Sequence, residues 1–157
     1  MKNMVVSYFT APKRKDQVEG VHHYFITDEE MNNLLESSTI LAYTKTKKGI
    51  LYCATLESFK RDTNIYIIDP AGIKWLRDAN FSDFVYIYVD CSEENILERG
   101  ITRGDDIESL KSCLSCERDD WDNFRDTKCY DYIIDNNGTY TELCLNVDKI
   151  ISNTLNK

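Results

Sequence analysis

The feature of this sequence that most constrains its fold is an alternation of apolar runs with amphipathic stretches. Three runs, IYIID (65–69), FVYIYVD (84–90) and YDYIID (130–135), are almost continuously apolar. Such runs are typical of parallel strands that helices bury on both faces. Segments with helical periodicity separate the runs, so the sequence predicts an α/β fold with a three-layer, mostly parallel sheet.

The first third of the chain has a different pattern, which predicts a small hairpin lobe. The segments VVSYF (5–9) and HHYFI (22–26) predict strands on either side of a polar, basic loop. In residues 39–59 apolar and polar side chains alternate with period two, interrupted at the KKG of residues 47–49. This pattern indicates two antiparallel strands joined by a turn.

Helix starts are marked by capping signals. Thr27 and Glu30, and later Thr139 and Glu142, have the T-x-x-E spacing of a capping box. Ser92 is the expected N-cap of the helix ENILERGITR, and a longer amphipathic helix is expected to follow it.

Composition and charge restrict the functional classes. The chain has 157 residues, a formal net charge of −8 and a pI near 4.8, which opposes non-specific attraction to nucleic acid or to an anionic membrane. No apolar run approaches the roughly 20 residues of a membrane helix, and the start lacks a signal-peptide core. We therefore expect a soluble, cytoplasmic, single-domain protein without a nucleic-acid or membrane partner.

The cysteines and histidines predict neither disulfides nor a metal site. Six cysteines are scattered along the chain, and reduced thiols are expected. Cys113 and Cys116 form a C-x-x-C, but the only histidines, His22 and His23, are adjacent and cannot complete a zinc set. Neighbouring strand residues point to opposite faces, so one packed and one exposed histidine are expected.

Five segments, taken in order, resemble the guanylate kinase family from just after its P-loop helix to its end. They are VSYFTAPKR, VEGVHHYFIT, IYIIDPAGIKWL, SEENILERGITRG and YDYIIDNNG. They resemble the family patterns V-S-x-T-T-R-x-P-R, G-x-D-Y-x-F-V, L-D-I-D-x-Q-G-V, L-x-x-R-L-x-x-R-G and V-I-V-N-D-D.

The resemblance implies a P-loop-kinase sheet over residues 1–157 without its first strand and helix. A GMP-binding-like lobe would span about 20–60 and a lid-like segment about 92–126.

The resemblance also implies which chemistry is lost. A P-loop enzyme holds the phosphates of ATP with a G-x-x-x-x-G-K-[ST] turn, and no glycine of this sequence begins such a motif. The family's P-loop would lie before Met1. We therefore expect no catalytic residue, no metal and no cofactor, and no transfer of phosphoryl groups from ATP by this chain alone.

The GMP-phosphate site is altered in this resemblance. The two family arginines fall at Thr10 and at Lys13, or at Arg14 if the loop's extra residue is placed earlier. Lysine neutralises charge but does not reproduce a bidentate guanidinium contact. Of the two phosphate-contacting tyrosines, one aligns with His23, beside Tyr24, and the other is retained as Tyr52.

The base-reading positions are changed more severely. The family's Glu, Ser and Asp align with Ala42, Ala54 and Ile67, so guanine loses its partners. Thr55 or Asp69 could substitute after a small register change, and Asp69 is the better candidate because it lies two residues along the same strand. Asp69 could instead be read as a Walker-B carboxylate, but without a P-loop hydroxyl a structural carboxylate is favoured.

Two family lid arginines match Arg99 and Arg103, which are spaced i,i+4 and share one side of a helix. They could form a residual anion clamp. They could equally form a solvated face paired with Glu98, Asp105, Asp106 and Glu108, in which exposed pairs stabilise by roughly 0–1 kcal/mol.

The preferred hypothesis is a degenerate guanylate-kinase-like module that binds a phosphopeptide, an acidic protein or a nucleotide without catalysis, as scaffold domains of this kind do. The alternative is a nucleoside monophosphate kinase, using ATP and Mg²⁺, whose P-loop is supplied upstream or by another chain. A homodimer could also cover the edge left by the missing strand. The predicted ligand-binding residues are Lys13, Arg14, His23, Tyr24, Tyr52, Asp69, Arg99 and Arg103.

Overall fold

The computed structural model describes residues 3–59, 64–81 and 84–155, and the chain divides into two compact units, 1–82 and 83–157. The first unit contains six strands, a 3-10 turn at Leu56–Ser58 and two helices. The strands are β1 (Asn3–Met4), β2 (Ser7–Phe9), β3 (His23–Phe25), β4 (Ile40–Lys45), β5 (Leu51–Thr55) and β6 (Asn64–Ile65). The helices are α1 (Asp28–Ser37) and α2 (Pro70–Asp78).

A four-stranded mixed sheet forms the centre of the first unit, in the order β3-β2-β5-β4. Strand β2 is parallel to β3 and antiparallel to β5, and β5 is antiparallel to β4. The predicted hairpin is confirmed: Thr46 N–H donates to the carbonyl of Ile50 at 2.9 Å, and Gly49 takes a positive φ of 82° at the turn. A separate parallel pair joins β1 to β6.

One face of this sheet packs against α1 and forms the core of the unit. Met31 of α1 and Cys53 of β5 are both fully buried, and Leu51 packs with them. Burial raises the pKa of the Cys53 thiol to about 11, so this thiol stays protonated at neutral pH. None of the six cysteines, all of which lie within the described residues, forms a disulfide bond.

The second unit contains β7 (Ile87–Asp90), α3 (Glu93–Arg103), α4 (Ile107–Thr127), β8 (Tyr132–Asp135) and α5 (Tyr140–Leu155). Strands β7 and β8 are parallel neighbours. Tyr88 of β7 packs against Trp121 and Phe124 of α4 and stacks on Tyr130. The predicted caps are confirmed: Ser92 accepts from Asn95 N–H, and the Thr139–Glu142 box is formed.

The expectation that the apolar runs are buried on both faces is wrong. Ile67 is 78% exposed and Val89 is 51% exposed, and Ile87 and Ile133 are exposed as well. In the described part of the chain, strand pairing covers only residue 65 of the first run, 87–90 of the second and 132–135 of the third. Within the described residues the strands form three separate sheets, of two, four and two strands. A continuous apolar run indicates that its side chains favour a strand. It does not show that other elements cover both faces of that strand.

The part of the chain that the structure describes contains no helix with the length and apolar character needed to cross a membrane.

The capping box of α1 is a measurable contribution to the stability of the first unit. Thr27 Oγ1 accepts from Glu30 N–H at 3.2 Å, and the Glu30 carboxylate accepts from Thr27 N–H at 2.8 Å; that backbone bond and the Thr27 hydroxyl lower the pKa of Glu30. Replacing Thr27 by Ala should lower the free energy of unfolding by about 0.5–2 kcal/mol in urea denaturation. Thr39→Ala, at an exposed position outside the helices, is the control, and an equal loss there would contradict the capping assignment.

Candidate functional site

The face of the four-stranded sheet opposite to α1 is the candidate site, and we call it the site face. Strand pairing fixes its members, because Ser7 is paired with His23, Phe9 with Tyr52, Thr44 with Tyr52, and Ala42 with Ala54. Side chains alternate along each strand, so the intervening residues Tyr8, Tyr43 and Cys53 point to the core. The site face comprises Ser7, Phe9, His23, Phe25, Ala42, Thr44, Tyr52 and Ala54.

An aromatic cluster on the site face brings two of the predicted residues together. The ring centroids of His23 and Tyr52 are 6.0 Å apart, and both rings lie against Phe9, at 4.8 and 4.4 Å. Ser7 Oγ lies 3.1 Å from His23 Nδ1. Desolvation by burial lowers the pKa of His23, more than the backbone of Ser7 raises it. The imidazole is therefore mainly neutral near pH 7.

Tyr24 and His22 do not join this cluster. The ring of Tyr24 stacks on Tyr8 at a centroid distance of 5.0 Å, on the other face of β3. His22 is exposed, and its Nδ1 accepts from Val18 N–H at 2.9 Å. The prediction of one packed and one exposed histidine is confirmed.

Two of the positions that the resemblance aligns with base-reading residues of the family are closed and apolar here. Ala42 and Ala54 are 1% and 0% exposed, and they lie side by side on β4 and β5. Neither methyl group can accept a hydrogen bond. Thr55 points to the other face because it directly follows Ala54 in the strand, and Ile67 is exposed. Of the substitutes considered from the sequence, Asp69 remains.

Asp69 is held in place by a structural role. Its Oδ1 caps α2 by accepting from Gly72 N–H at 2.7 Å, and it accepts from the hydroxyl of Thr44 at 2.9 Å. Pro70 follows at the first helical position, where its missing N–H costs nothing. Through Thr44, the carboxylate lies at the border of the site face. The described residues contain no group of three acidic, histidine or cysteine side chains that could hold a metal ion.

The loop from 10 to 22 carries the basic residues of the candidate site. Lys13, Arg14 and Lys15 are exposed, and no carboxylate within the described ranges pairs with them. The loop is folded locally: Arg14 N–H donates to Gln17 Oε1 at 2.9 Å, and Gln17 N–H donates to the carbonyl of Arg14. Thr10 is structural, since its Oγ1 accepts from Leu51 N–H.

The two predicted lid arginines lie on α3 of the second unit, where both contact their own chain. Arg99 donates to Cys91 Sγ at 3.7 Å and to the carbonyl of Gly138 at 3.4 Å. Arg103 pairs with Asp105, one of the partners anticipated for a solvated face. The charge of Arg103 is thus partly compensated by a carboxylate, whereas the contacts of Arg99 are with uncharged groups.

Several residues that shape the site were not anticipated from the sequence. Ser7 bonds to His23 and Thr44 bonds to Asp69, and only the tertiary structure reveals those contacts. The sequence D-P-A-G, with an acidic residue before a proline, is an N-cap signal that could have identified the structural role of Asp69. In the second unit, Arg125 donates to Tyr88 Oη at 3.1 Å and to Asp90 Oδ1 at 3.2 Å.

Two substitutions of Asp69 distinguish its role as a hydrogen-bond acceptor from the effect of its negative charge. Asp69→Ala removes the cap and leaves the buried Thr44 hydroxyl without its acceptor, so the free energy of unfolding should fall by about 2–4 kcal/mol. Asp69→Asn keeps an acceptor oxygen and should cost about 1 kcal/mol or less. Urea denaturation measures both. Asp78→Ala, which breaks an exposed pair with Lys74, is the control; equal losses in Asp69→Ala and Asp69→Asn would contradict the acceptor role.

The lowered pKa of His23 predicts how stability depends on pH. Below the unfolded-state pKa, about 6.5, the unfolded chain binds the proton more readily than the folded one. The His23 contribution to stability should therefore be present above that pH and be lost as the pH falls through the window between the two pKa values. In urea denaturation across this window, wild type should lose more stability than His23→Gln. A parallel pH dependence of the two proteins would contradict the assignment; His22→Gln is the control and should follow wild type.

This chain is similar in sequence to known proteins. The family model described as Guanylate kinase matches residues 1–154. "Protein lin-2" of Caenorhabditis elegans is 35% identical over 85 residues, 51% of this chain and 9% of that protein. The guanylate kinase of Haemophilus influenzae is 31% identical over 114 residues, 69% of this chain and 55% of the enzyme. The chain thus spans little more than half of that enzyme and about a tenth of lin-2.

A solved structure agrees with the sequence matches. The guanylate kinase from Anaplasma phagocytophilum has a TM-score of 0.65 and 20% identity, and the match covers 98% of this chain and 73% of the other. This likeness shows a shared α/β fold. Together with the family match over almost the whole chain, it shows that this chain belongs to the guanylate kinase family.

Proposed function

We propose that this chain is a guanylate-kinase-like binding module that holds a phosphorylated ligand and does not transfer phosphoryl groups. The observation that carries the proposal is the contrast between the two ends of the site. The phosphate end keeps cations and hydrogen-bonding rings, whereas the base end consists of the buried alanines Ala42 and Ala54.

The phosphate end supports anion binding through charge and through accessible donors. Lys13 and Arg14 are exposed and have no carboxylate partner in the described parts of the chain. They need not break an ion pair before they meet a ligand. Charge-assisted hydrogen bonds from such side chains to phosphate oxygens are about twice as strong as neutral ones. Because the net charge of the chain is −8, this attraction is local.

The base end argues against guanine as the recognised group. Each guanine N–H that enters without an acceptor costs roughly 1–3 kcal/mol of desolvation. The two alanine methyls supply no acceptor and are closed off from solvent. The ligand is therefore recognised by its phosphate group more than by a base, which favours a phosphorylated peptide over a specific nucleotide.

A second candidate function is phosphoryl transfer to a nucleoside monophosphate, with a P-loop contributed from outside these 157 residues. It is favoured by the relatives named guanylate kinase and by the retained Arg99 and Arg103. A coupled assay with the purified chain, ATP and GMP distinguishes the two. We expect no ADP formation, and turnover that Arg99→Ala with Arg103→Ala abolishes would establish the second candidate instead.

The binding proposal is tested by removing the two loop cations together. Lys13→Ala with Arg14→Ala should weaken binding of a phosphoserine peptide at least about tenfold, since each charge-assisted bond is worth about 1.5–3 kcal/mol. Calorimetry with the phosphorylated peptide and its unphosphorylated twin measures the difference.

The control removes the same charge elsewhere: Lys74→Ala with Lys111→Ala alters two exposed helix positions and should leave affinity within about twofold, because such surface charges contribute little. If the phosphorylated and unphosphorylated peptides bind equally, or if neither binds, the proposal fails.

A further inference from the structure

The imidazole ring of His23 is held in place by its neighbours, while one of its two nitrogens has no hydrogen-bond partner among the described residues. Its Nδ1 is 3.1 Å from Ser7 Oγ, and Ser7 is only 8% exposed. The ring packs between Phe9 and Phe25, with centroid distances of 4.8 and 5.8 Å. No side-chain or backbone group of the described residues bonds to the other nitrogen, Nε2. The ring is therefore oriented by the protein while one polar atom remains available to a ligand.

The Ser7 contact is compatible with either protonation state of the imidazole. A hydroxyl group can donate to Nδ1 of the neutral ring, and it can accept from Nδ1–H of the charged ring after rotating its proton. Protonation of His23 therefore does not require the ring to leave its place in the aromatic cluster. Nε2–H then becomes a charged donor next to Tyr52, whose ring is 6.0 Å away.

The side chains that the structure places against the His23 ring are uncharged. Strand β2 presents uncharged side chains, and β5 presents a tyrosine. The loop residue Glu19 lies beside the start of β3, but its carboxylate accepts from Phe25 N–H at 3.2 Å. The same loop carries the cations Lys13, Arg14 and Lys15. The titratable groups that face or border His23 are Glu19, His22 and Tyr52, and the three loop cations belong to the same loop as Glu19.

We propose that His23 makes this site selective for a doubly charged phosphomonoester, because its imidazole takes up a proton from solvent when that ligand binds. The inference rests on the proposed function and names the ligand's charge state. Free His23 is neutral because burial penalises its charged form. A dianion supplies the counter-charge that the free site lacks, whereas a monoanion such as a sulfate ester or a phosphodiester compensates the charge less well.

The test uses two probes of the same shape that differ in charge, phenyl phosphate and phenyl sulfate. The phosphate is mostly a dianion above about pH 6.5, since its second pKa is near 6, and the sulfate is a monoanion. Dissociation constants of the full chain are measured by NMR titration between about pH 6.5 and about pH 8. If ligand binding is coupled to proton uptake, the dissociation constant must change with pH over this range.

For wild type, the dissociation constant of phenyl phosphate should rise with pH by up to about tenfold per unit. Phenyl sulfate should bind at least about tenfold more weakly near pH 7. His23→Gln should remove the pH dependence and most of the preference for phosphate. His22→Gln removes the neighbouring imidazole and should keep both properties, which makes it the matched control.

A second measurement needs no variant. The ring-proton resonance of His23 in wild type should titrate at a higher pH with phenyl phosphate present than without it. A flat pH dependence, or a His23 titration that the ligand does not move, overturns the inference. If binding is flat with pH but still weakened by Lys13→Ala with Arg14→Ala, only the role of His23 fails; if phenyl phosphate does not bind, the proposed function fails with it.

Discussion

The antiparallel pairing of β5 with β2 and β4 is the constraint on which the candidate site depends. Side chains alternate along a strand, so a shift of the register by one residue would exchange the two faces of the sheet. The core fixes that register, because Cys53 and Leu51 must pack with Met31 of α1. Tyr52 and Ala54 are therefore obliged to lie on the site face, although neither packs in that core.

The same register explains why the two ends of the site differ chemically. It aligns Tyr52 with Phe9 and brings His23 to the same cluster through β2. It also sets Ala42 beside Ala54. Under the proposed function, this pair of methyl groups occupies the end of the site where a base would be read, and binding would depend on the phosphate group.

Short sequence motifs predicted the parts of this fold that depend on interactions between residues close together in the chain. The caps at Thr27 and Ser92 and the hairpin turn at residues 47–49 follow from hydrogen bonding or alternation within a few residues. His22 lies in the turn before β3, so its exposure does not come from strand alternation. The five ordered segments predicted the guanylate kinase family, because several motifs in register are more specific than any single one. The positions that they assign to the site stay a prediction.

The contacts that depend on pairing between distant segments could not be predicted in the same way. The Ser7–His23 and Thr44–Asp69 bonds join residues 16 and 25 positions apart. The first requires the pairing of β2 with β3, and the second requires the start of α2 to lie beside β4. The burial of the apolar runs was predicted wrongly because exposure is decided by what packs on a strand. Tyr24 is adjacent to His23 in sequence, yet the alternation of the strand places it against Tyr8, away from the cluster.

The affinity of the chain for GMP relative to AMP, CMP and ribose 5-phosphate tests the central claim most directly. All four carry one phosphomonoester, and they differ in the base or lack it. If phosphate is recognised and the base is not, the four dissociation constants should agree within about fivefold, since no buried acceptor distinguishes them. A preference for GMP of about a hundredfold or more would show hydrogen-bonded reading of guanine and would contradict the account.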